Sequence, residues 1–145
     1  MRFFLTKDDF VFQGRNLCRP ECVLATKSGD IFASHAAGRG GIAHIDVNGR
    51  TNFIMARAGD IPNNFIPNGY SLMPDNSFLI ANVGNDGGVY TLNKDGTLVP
   101  FLLEIDGIKL PACNFANRDE LGRIWISVST WARNRDESFK KDVAD

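Results

Sequence analysis

Short runs of apolar residues alternate along the chain with turns rich in glycine, asparagine and aspartate. Residues 77–82 are apolar almost throughout, and residues 89–93 follow them after a glycine-rich loop. The triplet Lys94-Asp95-Gly96 then marks a hairpin turn of a favoured type, which leads into residues 97–103. No segment has the periodicity of an amphipathic helix. The pattern therefore predicts short antiparallel strands and an all-β fold.

The strand pattern repeats with a period of 46 to 47 residues. An offset of 47 places Pro20 on Pro67 and Glu21 on Asn68, and an offset of 46 places Asn68 on Asn114. Four strands in a repeat of this length are typical of a β-propeller blade. We therefore predict one domain over residues 1–145, made of four-stranded antiparallel blades that begin near residues 19, 66 and 112.

This spacing predicts about two and a half blades, an incoming strand near residues 10–12 and a chain that ends inside the third repeat. Propellers typically have about four to eight blades. Either this is the N-terminal part of a longer propeller, or a second chain or second copy completes the ring. Six large side chains are expected to pack between blades: Phe32, Phe53, Phe78, Leu79, Phe101 and Trp125.

Composition narrows the class of protein. A net charge of −1 provides no bulk field that would attract nucleic acid or an anionic membrane. No apolar run approaches the roughly 18 to 20 residues of a membrane span, and the N-terminus lacks the apolar core of a secretory signal. Three cysteines match no zinc spacing, which indicates a reduced, cytoplasmic protein, although a disulfide between Cys18 and Cys22 stays open.

Candidate chemistry comes from the repeat itself. Equivalent blade positions converge on the propeller axis, so Glu21, Asn68 and Asn114 are expected near one channel mouth. One carboxylate and two amide oxygens suit a hard divalent cation such as Ca²⁺; the alternative is that these residues only cap turns. His35 aligns with Asn82 and is a candidate channel-lining residue, or a structural histidine. The polar residues 133–141 are expected to form a solvated loop or, together with Trp131, a lid.

Several motifs, in order along nearly the whole chain, resemble the SMP-30/gluconolactonase/LRE-like family. Cys22 departs from that family's usual glycine, and Ala112 stands where some sugar-lactone members carry an arginine. The motifs are Arg19-Pro20-Glu21-Cys22-Val23 with residues 28–34, Ile66-Pro67-Asn68-Gly69 with Pro74-Asp75-Asn76, and Asn114 with residues 119–125.

The resemblance implies a six-bladed propeller that hydrolyses lactones of the sugar-lactone type, as a gluconolactonase-like carboxylic ester hydrolase. It implies one divalent cation, Ca²⁺ first, with Zn²⁺, Mn²⁺ or Mg²⁺ as alternatives. Glu21 and Asn114 match metal-binding positions, while Asn114, Asn68 and His35 are the expected substrate contacts. The family's general base would fall beyond residue 145, so residues 1–145 alone are expected to be inactive.

Two other functions stay open from the sequence. A propeller with a structural ion is able to bind a protein or small ligand on its rim without catalysis. A short chain is also able to complete a ring by association through its open edges.

Overall fold

A computed structural model describes residues 4–132, and apart from a three-residue 3-10 turn at Lys7–Asp9 its regular structure is entirely β. The strands form antiparallel sheets of the kind found in propeller blades. The predicted fold class, all-β with four-stranded antiparallel sheets, is therefore confirmed. The number of blades in a closed ring, six by the resemblance, stays a prediction.

The first sheet is a four-stranded antiparallel meander in which each strand pairs with the next along the chain. Its order follows the sequence, as expected when tight turns connect neighbouring strands. The strands are β1 (Val23–Ala25), β2 (Ile31–His35), β3 (Gly41–Ile45) and β4 (Thr51–Met55).

The second sheet contains the same meander and one added strand. The added strand has two residues and pairs in parallel with the outermost strand of the meander, through Ala58↔Thr97 and Gly59↔Leu98. The sequence pattern did not predict it, because two residues are too few to show alternation. In spatial order the strands are β5 (Ala58–Gly59), β9 (Thr97–Leu102), β8 (Val89–Leu92), β7 (Phe78–Asn82) and β6 (Pro67–Leu72).

Two shorter sheets follow. The strands β10 (Glu104–Ile105) and β11 (Ile108–Lys109) form a small hairpin that the sequence pattern also did not predict. The strands β12 (Cys113–Arg118) and β13 (Ile124–Val128) form the start of a third blade-like sheet. The predicted polar segment at residues 133–141 lies outside the described residues.

Aspartate carboxylates close the hairpin turns. In each case Oδ1 accepts the backbone N–H of the residue two positions further on, which is the geometry that favours aspartate at turns. The sequence signal for turns therefore has a direct physical basis. The pairs are Asp46 with Asn48, Asp75 with Ser77, Asp95 with Thr97 and Asp119 with Leu121.

Two apolar clusters hold the sheets together. Between the first and second sheets, the Phe32 and Phe78 rings lie 5.2 Å apart, beside buried Ile42 and Ile80. Between the second sheet and the β12–β13 hairpin, buried side chains of β7 and β8 pack on those of β12. The second cluster comprises Leu79, Ala81, Val89, Leu110, Cys113 and Ala116.

Three of the six side chains predicted to pack between blades are exposed in the described structure. Phe101 and Trp125 are 46% and 58% exposed, and Phe53 contacts the His35 ring but is 39% exposed. Side chains alternate between the two faces of a strand, so each of these residues points away from the buried face. On β13 the half-buried side chains are Ile124, Ile126 and Val128.

The N-terminal segment is not a strand in the described structure, contrary to the prediction for residues 10–12. From Gly14 to Cys18 the segment packs against the first sheet. The Ala36 N–H donates to the Cys18 carbonyl, and a Cβ on Gly14 would meet the Ile45 side chain. All three cysteines are free thiols. Among residues 4–132 there is no helix long and apolar enough to cross a membrane.

The difference in burial between Leu79 and Phe101 generates a test. Leu79→Ala is expected to reduce the free energy of unfolding by about 2–5 kcal/mol, because it leaves a cavity between two sheets. Phe101→Ala is expected to cost less than about 1 kcal/mol, because its ring is half exposed. Urea unfolding followed by circular dichroism measures both variants. Equal losses would contradict the observed orientation of the two side chains.

Candidate functional site

Asn68 and Asn114 meet where β6 and β12 begin. The Asn68 Nδ2 donates two hydrogen bonds to Asn114, one to its backbone carbonyl at 2.8 Å and one to its side-chain Oδ1 at 2.7 Å. These two residues are one repeat apart in the sequence. The structure thus brings together two of the candidate site residues.

Both asparagines lie at irregular positions in their strands. The register of β6 against β7 shifts between Pro67 and Tyr70, and the register of β12 against β13 shifts between Cys113 and Phe115. Such bulges turn a side chain away from the direction that regular alternation would give it, and they are frequent beside functional sites. Here each bulge contains one of the two asparagines.

A glycine allows the two strands to approach each other. A Cβ built on Gly69 would lie 2.3 Å from the Phe115 ring and 2.7 Å from the Asn114 carbonyl oxygen. Further along, the Ser71 hydroxyl donates to the Ala116 carbonyl at 3.1 Å and accepts the Arg118 N–H at 3.0 Å. Residues at the spacing of the repeat therefore join the two strands.

The Asn68 side chain presents an oxygen without a donor. Asn68 is 8% exposed, and its Oδ1 is buried with no hydrogen-bond partner among the described residues. The double donation from Nδ2 to two oxygens of Asn114 fixes this orientation, because a flipped amide would place oxygen against oxygen. A buried carbonyl oxygen without a donor is costly unless something else satisfies it, such as an ordered water, a cation or a substrate group.

Glu21 lies just before β1 and is exposed. Its Oε1 accepts a hydrogen bond from Arg19 Nε at 3.1 Å, and its backbone N–H donates to the Arg19 carbonyl. Within residues 4–132, Arg19 is the recorded side-chain partner of this carboxylate. No hydrogen bond joins Glu21 to Asn68 or to Asn114 in the described structure.

Arg19 is a feature that the sequence analysis missed. Its φ of 51° lies in the left-handed region, which is uncommon for arginine, and its Nη1 is buried without a partner among the described residues. Strained backbone of this kind often marks a functional site. No signal in the sequence indicates it, because the residue types around Pro20 suit many turns.

His35 has structural contacts. It is 6% exposed, its Nδ1 accepts the Cys18 backbone N–H at 3.1 Å, and its ring centroid lies 4.5 Å from that of Phe53. Burial lowers the pKa of His35 below its usual value of about 6.5. No hydrogen bond joins His35 to Asn68 or Asn114 in the described structure.

The thiols beside the site are not activated. Burial raises the pKa of Cys22 and of Cys113 above the usual value, so both are neutral thiols near pH 7. Cys22 donates its backbone N–H to the Ser34 hydroxyl at 3.1 Å. A nucleophilic role for either thiol therefore has no support in the geometry.

The donor set suits a hard cation. No three histidine, cysteine, aspartate or glutamate side chains cluster as a metal site in the described part of the chain. The site offers amide oxygens instead, from Asn68 and Asn114, with the Glu21 carboxylate in the equivalent position of the preceding blade. Oxygen donors of this kind are the ligands of Ca²⁺ and Mg²⁺, whereas Zn²⁺ prefers nitrogen and sulfur. The buried Oδ1 of Asn68, which accepts no hydrogen bond from the described residues, is a suitable ligand for such an ion.

Neither a protein-family model nor a curated protein matches the sequence. Among solved structures, the chain is similar to an X-ray structure described as "the putative gluconolactonase in protein family", at 18% identity and a TM-score of 0.47. The match covers 73% of this chain and 40% of that one, so this chain spans less than half of that structure's length. A likeness at this level does not define a site or an activity.

The close approach at Gly69 predicts the effect of one added methyl group. Gly69→Ala is expected to destabilise the fold by about 1–3 kcal/mol and to separate Asn68 from Asn114, because the new Cβ would overlap Phe115 and the Asn114 carbonyl. The side-chain amide resonances of both asparagines in ¹H–¹⁵N NMR spectra measure the separation. Gly49→Ala is the control for the resonances: its φ of 77° strains an alanine, but no atom lies within 4 Å of a Cβ there, so both asparagine amides are expected to stay unchanged. Unchanged amide resonances in Gly69→Ala would contradict the geometry.

The lowered pKa of His35 predicts a pH dependence of stability. The unfolded chain binds a proton near its usual pKa of about 6.5, while folded His35 stays neutral to lower pH, so stability falls as pH decreases through that value. His35→Asn, which retains an acceptor for the Cys18 N–H, is expected to remove this loss. Urea unfolding between about pH 5.5 and 7.5 measures it, and His44→Asn is the control. The same loss in His35→Asn as in the native chain would contradict the assignment.

Proposed function

We propose that this chain is part of a metal-dependent hydrolase of lactones of the sugar-lactone type. The observation that carries the proposal is the buried Oδ1 of Asn68, which lacks a donor and lies beside Asn114 at the start of two adjacent blade-like sheets. These positions, with Glu21, are the ones that resemble the metal and substrate positions of the SMP-30/gluconolactonase/LRE-like family.

The three side chains have different proposed roles. Glu21 and Asn114 hold the cation: Glu21 supplies the negative charge, and Asn114 supplies its Oδ1, which keeps a free lone pair beside the bond from Asn68. Asn68 positions Asn114 through its Nδ2 and directs its own Oδ1 to the ion or to a substrate hydroxyl. Ca²⁺ is the favoured ion, with Mg²⁺, Mn²⁺ and Zn²⁺ as alternatives.

When bound, such a cation would supply Lewis-acid chemistry at the carbonyl of a lactone ring. The chain's own residues position the groups of the site. The bulged strands hold both asparagines in place before substrate binds, which lowers the reorganisation needed for the reaction. Arg19 holds the Glu21 carboxylate at 3.1 Å and shares its charge. As the resemblance implies, we place the general base beyond residue 145.

A further blade is also part of the proposal. Trp125 and Ser127 are exposed on one face of β13, while Ile124, Ile126 and Val128 on its other face pack on the second sheet. Propeller blades are half-buried on both faces by their neighbours. We propose that the next blade of the ring covers this exposed face, whether it comes from the same chain, a second copy or another chain.

Cation binding tests the site. Ca²⁺ is expected to shift the side-chain amide resonances of Asn68 and Asn114 with a dissociation constant of about 0.1–1 mM, since few protein oxygens are present. Glu21→Gln, which keeps the size of the side chain, is expected to weaken binding by at least about tenfold. Glu104→Gln, an exposed glutamate on β10, is the control with the same charge change. The site proposal fails if Ca²⁺, Mg²⁺, Mn²⁺ and Zn²⁺ all leave both asparagines unperturbed.

Lactone hydrolysis tests the activity. The longest reading frame that contains these residues is expressed, and acid release from glucono-1,5-lactone is followed at constant pH. Hydrolysis above the spontaneous rate is expected, with a loss of about a hundredfold or more on addition of EDTA or in Asn114→Ala. Cation binding without hydrolysis would contradict the lactonase and favour a non-catalytic binding module.

A further inference from the structure

A polar cavity lies beside the start of β6. It has a volume of about 670 Å³, and its wall includes Arg39, Arg57, Asn63 and Asn64 together with Phe65. The loop between β2 and β3 forms one side, and the segment that leads from β5 into β6 forms the other. Since a Cβ on Gly40 would lie 2.8 Å from the Pro67 ring, the first side is packed directly against the beginning of β6.

Main-chain carbonyls hold the two guanidinium groups. Arg39 Nη1 donates to the Arg57 carbonyl at 3.3 Å, and Arg57 Nη2 donates to the Asp95 carbonyl at 2.7 Å. These partners are neutral carbonyl groups that position the arginines. The pKa of Asp95 is lowered by its hydrogen bonds to Thr97 and also by the charge of Arg57, so this carboxylate lies near one of the two guanidinium groups. Each guanidinium has five N–H donors in a planar fork, and most of those donors stay available to a ligand.

The wall of the cavity contains no carboxylate. Within residues 4–132, neither Arg39 nor Arg57 forms an ion pair. The Asp95 carboxylate accepts the Thr97 N–H, and the Asp86 carboxylate accepts the Asn64 N–H from outside the wall. Two arginines therefore line one cavity, and the acidic residues closest to its wall in the sequence are Asp60, between Gly59 and Ile61, and Asp86, which accepts the Asn64 N–H.

From this arrangement we propose that the cavity is a binding site for a phosphate or carboxylate group of a small molecule. Two arginines in one wall supply two positive charges, and an oxyanion bound there accepts paired N–H donors from them. Asn63 and Asn64 supply further polar groups at the same wall. Neither arginine belongs to the proposed metal site, and only the assignment of the oxyanion to a substrate rests on the proposed function.

The position of the cavity suggests two sources for the oxyanion. Residue 112 is alanine where some members of the family that the chain resembles carry an arginine for substrate, and the cavity wall includes Ile66, which leads into β6. The oxyanion is therefore either a free anion or the anionic group of a sugar substrate whose remainder reaches Asn68.

Phosphate titration of the full chain tests the proposal. ¹H–¹⁵N NMR spectra are recorded at low ionic strength, where exposed charges are least screened. Inorganic phosphate is expected to give saturable shifts at residues 36–39 and 57–66. Arg39→Gln and Arg57→Gln are each expected to weaken binding by about fivefold or more, as loss of a charge-assisted hydrogen bond requires. Arg50→Gln, an exposed arginine in the β3–β4 turn, has the same charge change and is expected to bind normally.

The proposal is overturned if phosphate gives no saturable shift, or if Arg50→Gln weakens binding as much as the cavity variants do. Arg57 also donates to the Asp95 carbonyl in a turn, so Arg57→Gln could unfold the chain. In that case Arg57→Lys replaces it. The lysine retains the positive charge, and this variant is expected to bind phosphate with an affinity between those of the native chain and Arg39→Gln. A parallel titration with glucose 6-phosphate separates the sources. Tighter binding than inorganic phosphate, with shifts that extend to Asn68, supports a substrate group, and equal binding supports a free anion.

Discussion

The contact between β6 and β12 is the constraint on which the candidate site depends. These strands belong to neighbouring sheets and share no backbone ladder, so side chains join them. Asn68 donates to Asn114, and Ser71 bonds to Ala116 and Arg118, at separations of 45 to 47 residues. Because the repeat has this length, each bond joins nearly equivalent positions of successive blades. Gly69 makes the short distance feasible.

The same contact explains why polar groups collect at one end of the sheets. A bulge at the start of each inner strand turns an asparagine toward its neighbour, and the Asn68 amide then has one satisfied end and one unsatisfied end. An unsatisfied buried oxygen costs stability unless a ligand binds it. At the strand openings the side chains are therefore held in place, and one oxygen is left to accept a hydrogen bond or to ligate a cation. A binding site needs both.

Much of the fold was predictable because turn chemistry is local. Aspartate and glycine at the turns, with apolar runs between them, define the hairpins of the second sheet to within a residue or two. The repeat also predicted that Asn68 and Asn114 share a blade position, since periodic sequence becomes periodic structure. These inferences needed no knowledge of distant contacts.

The remaining features depend on partners that one sequence does not reveal. The outward orientation of Phe101 and Trp125 follows from which face of each strand the neighbouring sheet covers. The bulges at the two asparagines exist only in relation to a paired strand. The left-handed backbone of Arg19 and the pairing of Arg39 with Arg57 are set by tertiary packing, which overrides local preference.

The most direct test of the account is the position of a bound cation. Crystals of the chain soaked in calcium chloride, with anomalous data collected at long wavelength, would locate it. The account predicts one peak at about 2.3–2.6 Å from the Oδ1 atoms of Asn68 or Asn114, which is the usual range for calcium–oxygen contacts. A well-ordered Asn68 with its Oδ1 satisfied by a protein donor, and no peak at the strand openings, would contradict it.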